Sequence, residues 1–334
     1  MLSTRRPLHV GLRNFVDWIR TESSKENSIR EQAGEIRQRV KGHATKDGLT
    51  VRSMPWSGSF AKRTGIRRHL QGATPVEGQD VDIPVVVSPK TKDDEALESL
   101  LPRFYAYLDA SYPDTPKKQT KSSVKLDFVG SKVSYDIVPM LATTDPKRQI
   151  LIRAGGERRE TSVQNHIEFI TARTRDSALV SGRVSFNEMV RLLKWWREVK
   201  CQGQIDAYPS ILIDQLAAHA YREQGVDETY PATLARWFGF LAHEVARRAP
   251  IYFDDFIDWK RPPLGNPWAV IDPVTTDNNV AGHLGNGDIG VLEEWMAEAR
   301  DDVLQAIAAD HDDDEAAAFD ALVPVFGRHV IHHS

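Results

Sequence analysis

Two kinds of hydrophobic periodicity divide the chain. Apolar residues recur at helical spacing over residues 8–44, and strand-like apolar runs follow. Beyond the glycine pair Gly155–Gly156 the helical spacing returns, for example over residues 185–199. The pattern predicts an α/β unit over residues 1–155 and a helical unit over residues 156–334. The α/β unit begins with helical residues 8–44, in which the polar cluster over residues 21–24 could mark a kink or a new helix cap.

One strand-like run begins with two acidic residues. Residues i and i+2 of a strand point to the same face, so Asp80 and Asp82 project together while Val81 and Ile83 face the other way. Adjacent carboxylates repel each other unless cations lie between them. A solvated acidic face is the simpler alternative. The apolar run over residues 83–87 instead favours a buried strand whose acids bind a hard cation, Mg²⁺ or Mn²⁺.

A third carboxylate lies in another apolar run. Asp136 belongs to a predicted hairpin that turns at Gly130–Ser131, and an unpaired carboxylate among apolar neighbours is costly. If its strand lies beside that of Asp80, three carboxylates converge and could hold two metal ions about 4 Å apart. Asp127 competes for the third place. We prefer Asp136 because it lies in the middle of the more apolar strand.

A glycine-serine turn precedes the acidic pair. Gly58 allows the backbone to turn tightly and to approach a ligand. Ser59 would open a short helix whose backbone N–H groups favour a phosphate. Gly-Ser turns are common and mostly structural, so this pair indicates a phosphate site only together with the acids.

Composition limits the classes of function. The chain has 334 residues, of which 41% are hydrophobic, and this is enough for one large domain or two lobes. A net charge of −4 argues against a bulk nucleic-acid binder, and we expect no stable DNA binding. Cys201 is the only cysteine, which fits a reducing cytosol. No run has the length of a membrane span, so we expect a soluble cytoplasmic protein without a membrane partner. Four lysines predict a solvated basic edge, with attraction of a triphosphate as the alternative: Lys117, Lys118, Lys121 and Lys125.

The motifs together resemble a known family. Gly58-Ser59, the acidic pair and Asp136 resemble the active-site signature of the polymerase β-like nucleotidyltransferases. Within that superfamily the chain resembles the bacterial cGAS/DncV-like nucleotidyltransferases, the CD-NTases of CBASS anti-phage systems. Lys194 and Ser210 lie in two segments that are similar to later motifs of the family. The segment over residues 271–281 is similar to a further motif. The resemblance spans roughly residues 10–330.

The resemblance implies both a fold and an activity. It implies a polymerase β-like lobe with a mixed sheet, a C-terminal helical lobe, and an active site in the cleft between them. Asp80, Asp82 and Asp136 would hold two Mg²⁺ or Mn²⁺ ions, and Asp136 would help to deprotonate an acceptor hydroxyl. The donor triphosphate would be bound by four residues: Gly58, Ser59, Lys194 and Ser210. The substrates would be nucleoside triphosphates, ATP first among them with GTP or others open. The product would be a cyclic di- or trinucleotide, and a CBASS regulatory partner is expected.

Two alternatives stay open at this point. The acceptor could be RNA, tRNA or a small molecule rather than another nucleotide. A non-catalytic nucleotide sensor or scaffold is the alternative of another class, although a binding module has no need for three mutually repelling acids. The segment over residues 66–79 contains Gly72, Pro75 and Gly78, and it predicts a loop near the site.

Overall fold

The computed structural model describes residues 6–72, 74–89, 100–203, 205–256 and 267–333. Contacts divide the chain into two compact units. We call the unit of residues 21–67 and 77–168 the sheet unit. The unit of residues 1–20, 68–76 and 169–334 is the helical unit.

Helices and short strands alternate in the first half, and helices dominate the second. The helices are α1 (Pro7–Ile19), α2 (Ser23–Lys46), α3 (Gly58–Lys62), α4 (Leu100–Ser111), α5 (Val163–Val180), α6 (Phe186–Cys201), α7 (Ser210–Gln224), α8 (Tyr230–Arg247), α9 (Asn286–His311), α10 (Glu315–Ala321), α11 (Val323–Phe326) and α12 (His329–His333). The strands are β1 (Leu49–Ser53), β2 (Arg68–Gln71), β3 (Thr74–Glu77), β4 (Gln79–Pro89), β5 (Lys117–Gln119), β6 (Val124–Phe128), β7 (Val133–Ala142), β8 (Gln149–Ile152) and β9 (Arg158–Thr161).

The sheet unit is built on a mixed sheet, as predicted. Within the described residues the strand order is β1-β4-β7-β6-β5, with β8 paired to β7 and β9 paired to β8. β4 and β7 run parallel, while the other neighbours are antiparallel. The predicted hairpin through Gly130–Ser131 is confirmed, since β6 and β7 pair on either side of that turn. The sheet continues beyond residue 155 through β9.

The boundary between the two contact units therefore lies at 168/169. The predicted domain boundary at 155/156 concerns folding domains and stays a prediction.

One face of the sheet packs on α2. Val81 and Ile83 of β4 are fully buried in this core, together with the apolar stripe of α2. The helical region over residues 8–44 consists of two helices, α1 and α2, and the new cap lies within the polar cluster over residues 21–24, one of the two predicted possibilities. The chain is extended at Arg20 and at Glu22, which is the N-cap of α2, so the helix is interrupted between the units. The opposite face of β4 therefore carries Asp80 and Asp82.

The helical unit has an aromatic core. Its largest fully buried side chains include Trp195, Trp196, Trp237 and Trp268. None of the helices in the described part of the chain combines the length and apolarity needed to cross a lipid bilayer.

The segment predicted as a loop is instead a hairpin. β2 and β3 form a two-stranded sheet of their own, and residues 68–76 belong to the helical unit. Glu198 of α6 accepts a hydrogen bond from the backbone N–H of Leu70 at 3.3 Å. A Cβ on Gly203 would lie 2.0 Å from the Leu70 carbonyl oxygen, so only glycine permits this approach. Packing against α6 stabilises strands that are too short to be recognised from sequence.

Candidate active site

The parallel pair β4 and β7 brings the acids together. Asp82 is in register with Asp136, and Asp80 is in register with Ser134. Residues in register on neighbouring strands project from the same face. The core position of Val81 confirms that Asp80 and Asp82 share the other face, as predicted. The structure therefore places three carboxylates on one face of the sheet.

Strand β6 adds two more charged side chains to this face. Lys125 is in register with Asp136, and Asp127 is in register with Ser134. The face thus has one row that runs Asp80, Ser134, Asp127 and a second that runs Asp82, Asp136, Lys125. We call five of the charged residues on this face the acid face: Asp80, Asp82, Asp127, Asp136 and Lys125.

Hydrogen bonds hold several of these carboxylates. The Lys125 ammonium lies 2.9 Å from Oδ1 of Asp80. The Ser123 hydroxyl donates to Oδ1 of Asp136 at 2.6 Å. The Ser134 hydroxyl donates to Oδ1 of Asp127 at 2.5 Å. Asp127, the alternative to Asp136 as the third metal ligand, is thus on the acid face as well. It lies in the same row as Asp80 and Ser134, whereas Asp136 lies in the row of Asp82.

The electrostatics of the acid face disfavour full ionisation. Burial raises the pKa of Asp82 to about 6, the charges of Asp136 and Asp80 add to the rise, and Lys62 and Lys125 oppose it. Burial also raises the pKa of Asp136, although the hydrogen bond from Ser123 acts against the shift. The carboxylates therefore carry more negative charge than the neighbouring lysines balance.

The environment of the acid face favours the charged form of Lys125, whereas it disfavours the charged forms of Asp82 and Asp136. Burial alone would lower its pKa, but the hydrogen bond and charge of Asp80, together with the charges of Asp136 and Asp127, raise it. Its ammonium is thus held in the charged form by the acids around it.

The glycine-serine turn closes on Asp82. Gly58 has a φ of +63°, and a Cβ at this position would lie 1.6 Å from Oδ2 of Asp82. Any larger residue would push that carboxylate aside. The helix α3 begins at Gly58, one residue earlier than predicted, and Ser59 is its second residue. The carbonyl of Ser59 accepts hydrogen bonds from the backbone N–H groups of Thr64 and Gly65, which fold the chain back at the end of this helix.

Open space adjoins this turn within the sheet unit. A cavity of about 680 Å³ reaches Phe60 and Ala61 of α3. Trp56 and Arg30 also line it, and the Arg30 guanidinium lies 5.1 Å from the ring centroids of both Trp56 and Phe60. The cavity thus adjoins residues on both sides of the turn, and Gly58 and Ser59 are themselves half-buried.

Lys194 and Ser210 lie in the helical unit. The Lys194 ammonium is 2.8 Å from Oδ1 of Asp214, and both side chains are nearly inaccessible to solvent. Ser210 is the first residue of α7, after the N-cap Pro209, and its hydroxyl accepts a hydrogen bond from Arg197 at 3.2 Å. The assignment of Lys194 and Ser210 as triphosphate ligands stays a prediction.

Around Lys194 the helical unit forms a buried ion cluster, which we define as Lys194, Arg197, Glu198 and Asp214. Arg197 pairs with Glu198 at 3.1 Å. Burial would raise the pKa of Glu198, but His69, Arg197 and the Leu70 N–H together bring it below its ordinary value. Each charge in this cluster therefore has an opposite partner.

The donor set of the acid face fits a magnesium ion. Three carboxylates on one face offer the hard oxygen ligands that Mg²⁺ prefers, and a divalent cation would relieve their mutual repulsion. Within the described ranges no three His, Cys, Asp or Glu side chains are already arranged as a metal-ligand set. Asp80 is engaged by Lys125 instead.

Sequence reasoning missed part of this site. Lys117 and Lys125 were predicted to belong to a solvated basic edge, which is wrong for both: the Lys117 side chain is only 6% exposed and pairs with Asp109, and Lys125 pairs with Asp80. Ser123 was not singled out. The available signal was the alternation of Lys125 with Asp127 on the strand paired to that of Asp136.

The part of the chain that carries the acid face matches a known protein family. A family model described as the Second Messenger Oligonucleotide or Dinucleotide Synthetase domain matches residues 8–173. This range includes the turn and all carboxylates of the acid face, and it ends before Lys194 and Ser210.

Similar proteins cover nearly the whole chain. The cyclic AMP-AMP-AMP synthase of Escherichia coli (strain MS 115-1) is 27% identical in an alignment of 317 residues, and the match covers 92% of this chain and 94% of that protein. The structure of E. coli MS115-1 CdnC in a CdnC:HORMA-deltaN complex matches with a TM-score of 0.76 at 28% identity, covering 98% of this chain and 99% of that one. CdnC with ATP gives a TM-score of 0.74, also at 28% identity, covering 96% of this chain and 97% of that one. Bradyrhizobium diazoefficiens CdnG shares the fold, with a TM-score of 0.73 at 15% identity over 99% of this chain and 98% of that one.

Proposed function

The chain belongs to the bacterial cGAS/DncV-like nucleotidyltransferases (CD-NTases) of CBASS anti-phage defence, and from this premise we propose how its residues carry out the reaction. It is a nucleotidyltransferase that makes a cyclic oligonucleotide from nucleoside triphosphates. The observation that supports our assignment of the chemistry is the parallel register of β4 and β7, which sets Asp82 beside Asp136 on the face that carries Asp80.

We propose that Asp80, Asp82 and Asp136 hold two Mg²⁺ ions, or Mn²⁺ in their place. When bound, these ions would neutralise triphosphate charge and lower the pKa of the attacking hydroxyl. Asp136 receives the proton of the acceptor hydroxyl, while the Ser123 hydroxyl keeps its carboxylate in place. The acceptor oxygen then bonds to the α-phosphorus, and pyrophosphate leaves with the electrons of the broken bond.

The turn at Gly58 and Ser59 is proposed to hold the donor phosphates. The missing side chain at Gly58 lets the backbone lie directly against Asp82, so phosphates bound at the turn would be next to the carboxylates. Lys194 and Ser210 are proposed as further phosphate ligands. Lys194 would have to exchange Asp214 for the phosphate, because Asp214 holds its ammonium in this structure.

We propose ATP as the donor and a cyclic triadenylate as the product. The name of the E. coli synthase and the structure of CdnC with ATP support this choice. The CdnC:HORMA-deltaN complex supports a HORMA-domain protein as the regulatory partner. We also propose that the enzyme works in the cytoplasm, where its nucleotide substrates are present.

The test is a product analysis with labelled nucleotides. The purified protein is incubated with each ribonucleoside triphosphate and Mg²⁺ or Mn²⁺, then with phosphatase, and the products are identified by mass spectrometry. We expect a phosphatase-resistant cyclic triadenylate from ATP. Transfer only onto added RNA would favour the other acceptor class, and saturable nucleotide binding without turnover would favour a sensor.

A double variant and its control test whether synthesis of the product depends on the carboxylates of the acid face. The double variant Asp80→Asn with Asp82→Asn should lose turnover by at least about 1,000-fold, because the charges that the transition state needs are gone. The control Asp114→Asn removes an exposed carboxylate in the loop after α4 and should behave as wild type. Retained synthesis in the folded double variant would refute the metal assignment.

A further inference from the structure

Lys125 reaches across a whole strand to its partner. It lies on β6 and Asp80 lies on β4, and β7 is between these two strands. Lys125 is in register with Asp136 of β7, yet its Nζ is 2.9 Å from Oδ1 of Asp80. The side chain must therefore pass over the part of β7 that carries Asp136. The ammonium lies among the three carboxylates rather than at the edge of the sheet.

This is the place that a divalent cation would take. We propose that Lys125 is a stand-in cation, whose ammonium occupies the metal position of the acid face and is displaced when the metal binds. The inference rests on the proposed function, since it needs the three acids to be metal ligands. Without any cation the four carboxylates of the acid face would repel each other, and the ammonium keeps them together in the metal-free protein.

The acid face also contains a second partner for the displaced ammonium. Asp127 is two residues beyond Lys125 on the same strand, so both side chains project from the same face. A carboxylate can accept several hydrogen bonds, so the bond from Ser134 to Oδ1 of Asp127 still allows an ammonium to bind. Lys125 can therefore exchange Asp80 for Asp127 by rotation of its own side chain, without movement of the sheet.

A purely structural ion pair makes the opposite prediction. If Lys125 only held Asp80 in place for the metal, its removal would loosen Asp80 and weaken metal binding. If Lys125 competes with the metal, its removal strengthens metal binding. The direction of the change in metal affinity thus separates the two roles, without reference to catalytic activity.

The experiment measures Mn²⁺ binding directly, by electron paramagnetic resonance of the free ion, on the full chain without nucleotide. The Lys125→Met variant should bind Mn²⁺ about tenfold more tightly, because a unit charge close to a divalent ion opposes binding by at least that factor even in a water-like medium. The Lys125→Arg variant keeps the charge and should bind no more tightly than wild type. The control Lys118→Met removes an exposed lysine of β5 that lies in register with Lys125 of β6. It should change the affinity for Mn²⁺ by less than twofold.

A double-variant cycle tests the displacement itself. Asp127→Asn should weaken Mn²⁺ binding several-fold in the wild-type background, because the ammonium loses the partner that receives it. In the Lys125→Met background the same change should have less than a twofold effect. Equal effects in both backgrounds would mean that Asp127 acts only through its charge, and this would overturn the exchange.

The outcomes separate this inference from the proposed function. If Lys125→Met binds Mn²⁺ as wild type does or more weakly, the stand-in role is wrong. If wild type and the Asp80→Asn, Asp82→Asn double variant bind Mn²⁺ equally, the metal assignment itself fails. Melting temperatures check that each variant is folded, and Lys125→Gln replaces Lys125→Met if the latter is not.

Discussion

The two units use clustered charges in opposite ways. In the buried ion cluster of the helical unit, Lys194 pairs with Asp214 and Arg197 pairs with Glu198, and no side chain is more than 6% exposed. On the acid face of the sheet unit four carboxylates outnumber the ammonium groups of Lys125 and the nearby Lys62, and the Asp80 side chain is 54% exposed. One cluster is balanced and closed, while the other has excess charge and is open to solvent.

The pKa values show what this difference means. Opposite charges and hydrogen bonds bring the pKa of Glu198 below its ordinary value despite burial. Burial and like charges raise the pKa of Asp82. A folded chain has no reason to keep like charges together for stability alone, so the unbalanced cluster indicates a site for a ligand. The balanced cluster contributes to the fold, whatever else Lys194 does.

The largest loss of stability is expected when one member of an ion pair in the buried ion cluster is removed. Asp214→Ala leaves the Lys194 ammonium buried without its counter-ion, and such changes typically destabilise a protein by about 3–5 kcal/mol. Thermal and urea unfolding measure it. The control Glu298→Ala removes an exposed partner of Lys200 in the same unit and should cost about 1 kcal/mol or less. If both variants lose the same stability, the buried ion cluster is not the balanced structural element described above.

On the acid face, removal of a carboxylate should increase the stability of the protein rather than decrease it. Between its ordinary pKa of 3.8 and the raised value of about 6, Asp82 binds more protons in the folded state than in the unfolded one. The metal-free protein therefore loses stability as the pH rises through this window, and Asp82→Asn is spared that loss. Well above pH 6 the variant should be more stable than wild type by about 3 kcal/mol, and below pH 4 the gain should vanish.

Urea unfolding in a chelator, at intervals from pH 4 to pH 7.5, checks this prediction. Asp114→Asn, which changes an exposed carboxylate in the same unit, should show no such difference from wild type. A gain for Asp82→Asn that is constant with pH would contradict the electrostatic explanation.

The smallest stability effect is expected at the turn. Gly58→Ala and Gly48→Ala both place a side chain at positive φ, +63° and +82°, but nothing lies within 4 Å of the Gly48 position. Both should lose about 1 kcal/mol from backbone strain. Only Gly58→Ala displaces the Asp82 carboxylate, and it should also lose turnover by about 100-fold, the cost of a misplaced catalytic group. Equal turnover in the two variants would mean that the turn does not position Asp82.

Local patterns were sufficient for much of the sheet unit. The i, i+2 spacing of Asp80 and Asp82 beside buried Val81 specified a common face, and the apolar run around Asp136 specified a strand. Both signals depend on neighbours in sequence, and the pleat of a strand converts them directly into geometry.

Other features depend on which segments meet in space. The role of Lys125 follows from the position of β7 between β4 and β6, and no local pattern contains that strand order. The burial of Lys194 depends on Asp214 in the next helix. The β2–β3 hairpin has strands of four residues, and its turn glycine predicted a loop because its contacts with Glu198 were not visible in the sequence.

The threading of the chain has a consequence for synthesis. The polypeptide passes from one unit to the other at 20/21, 67/68, 76/77 and 168/169. The sheet unit is complete once residue 168 has left the ribosome, whereas α1 emerges first and must wait for the helices beyond residue 169 before it can dock. A truncated gene product that stops after the sheet would therefore expose the apolar stripe of α1, and no single cut in the chain separates the two units.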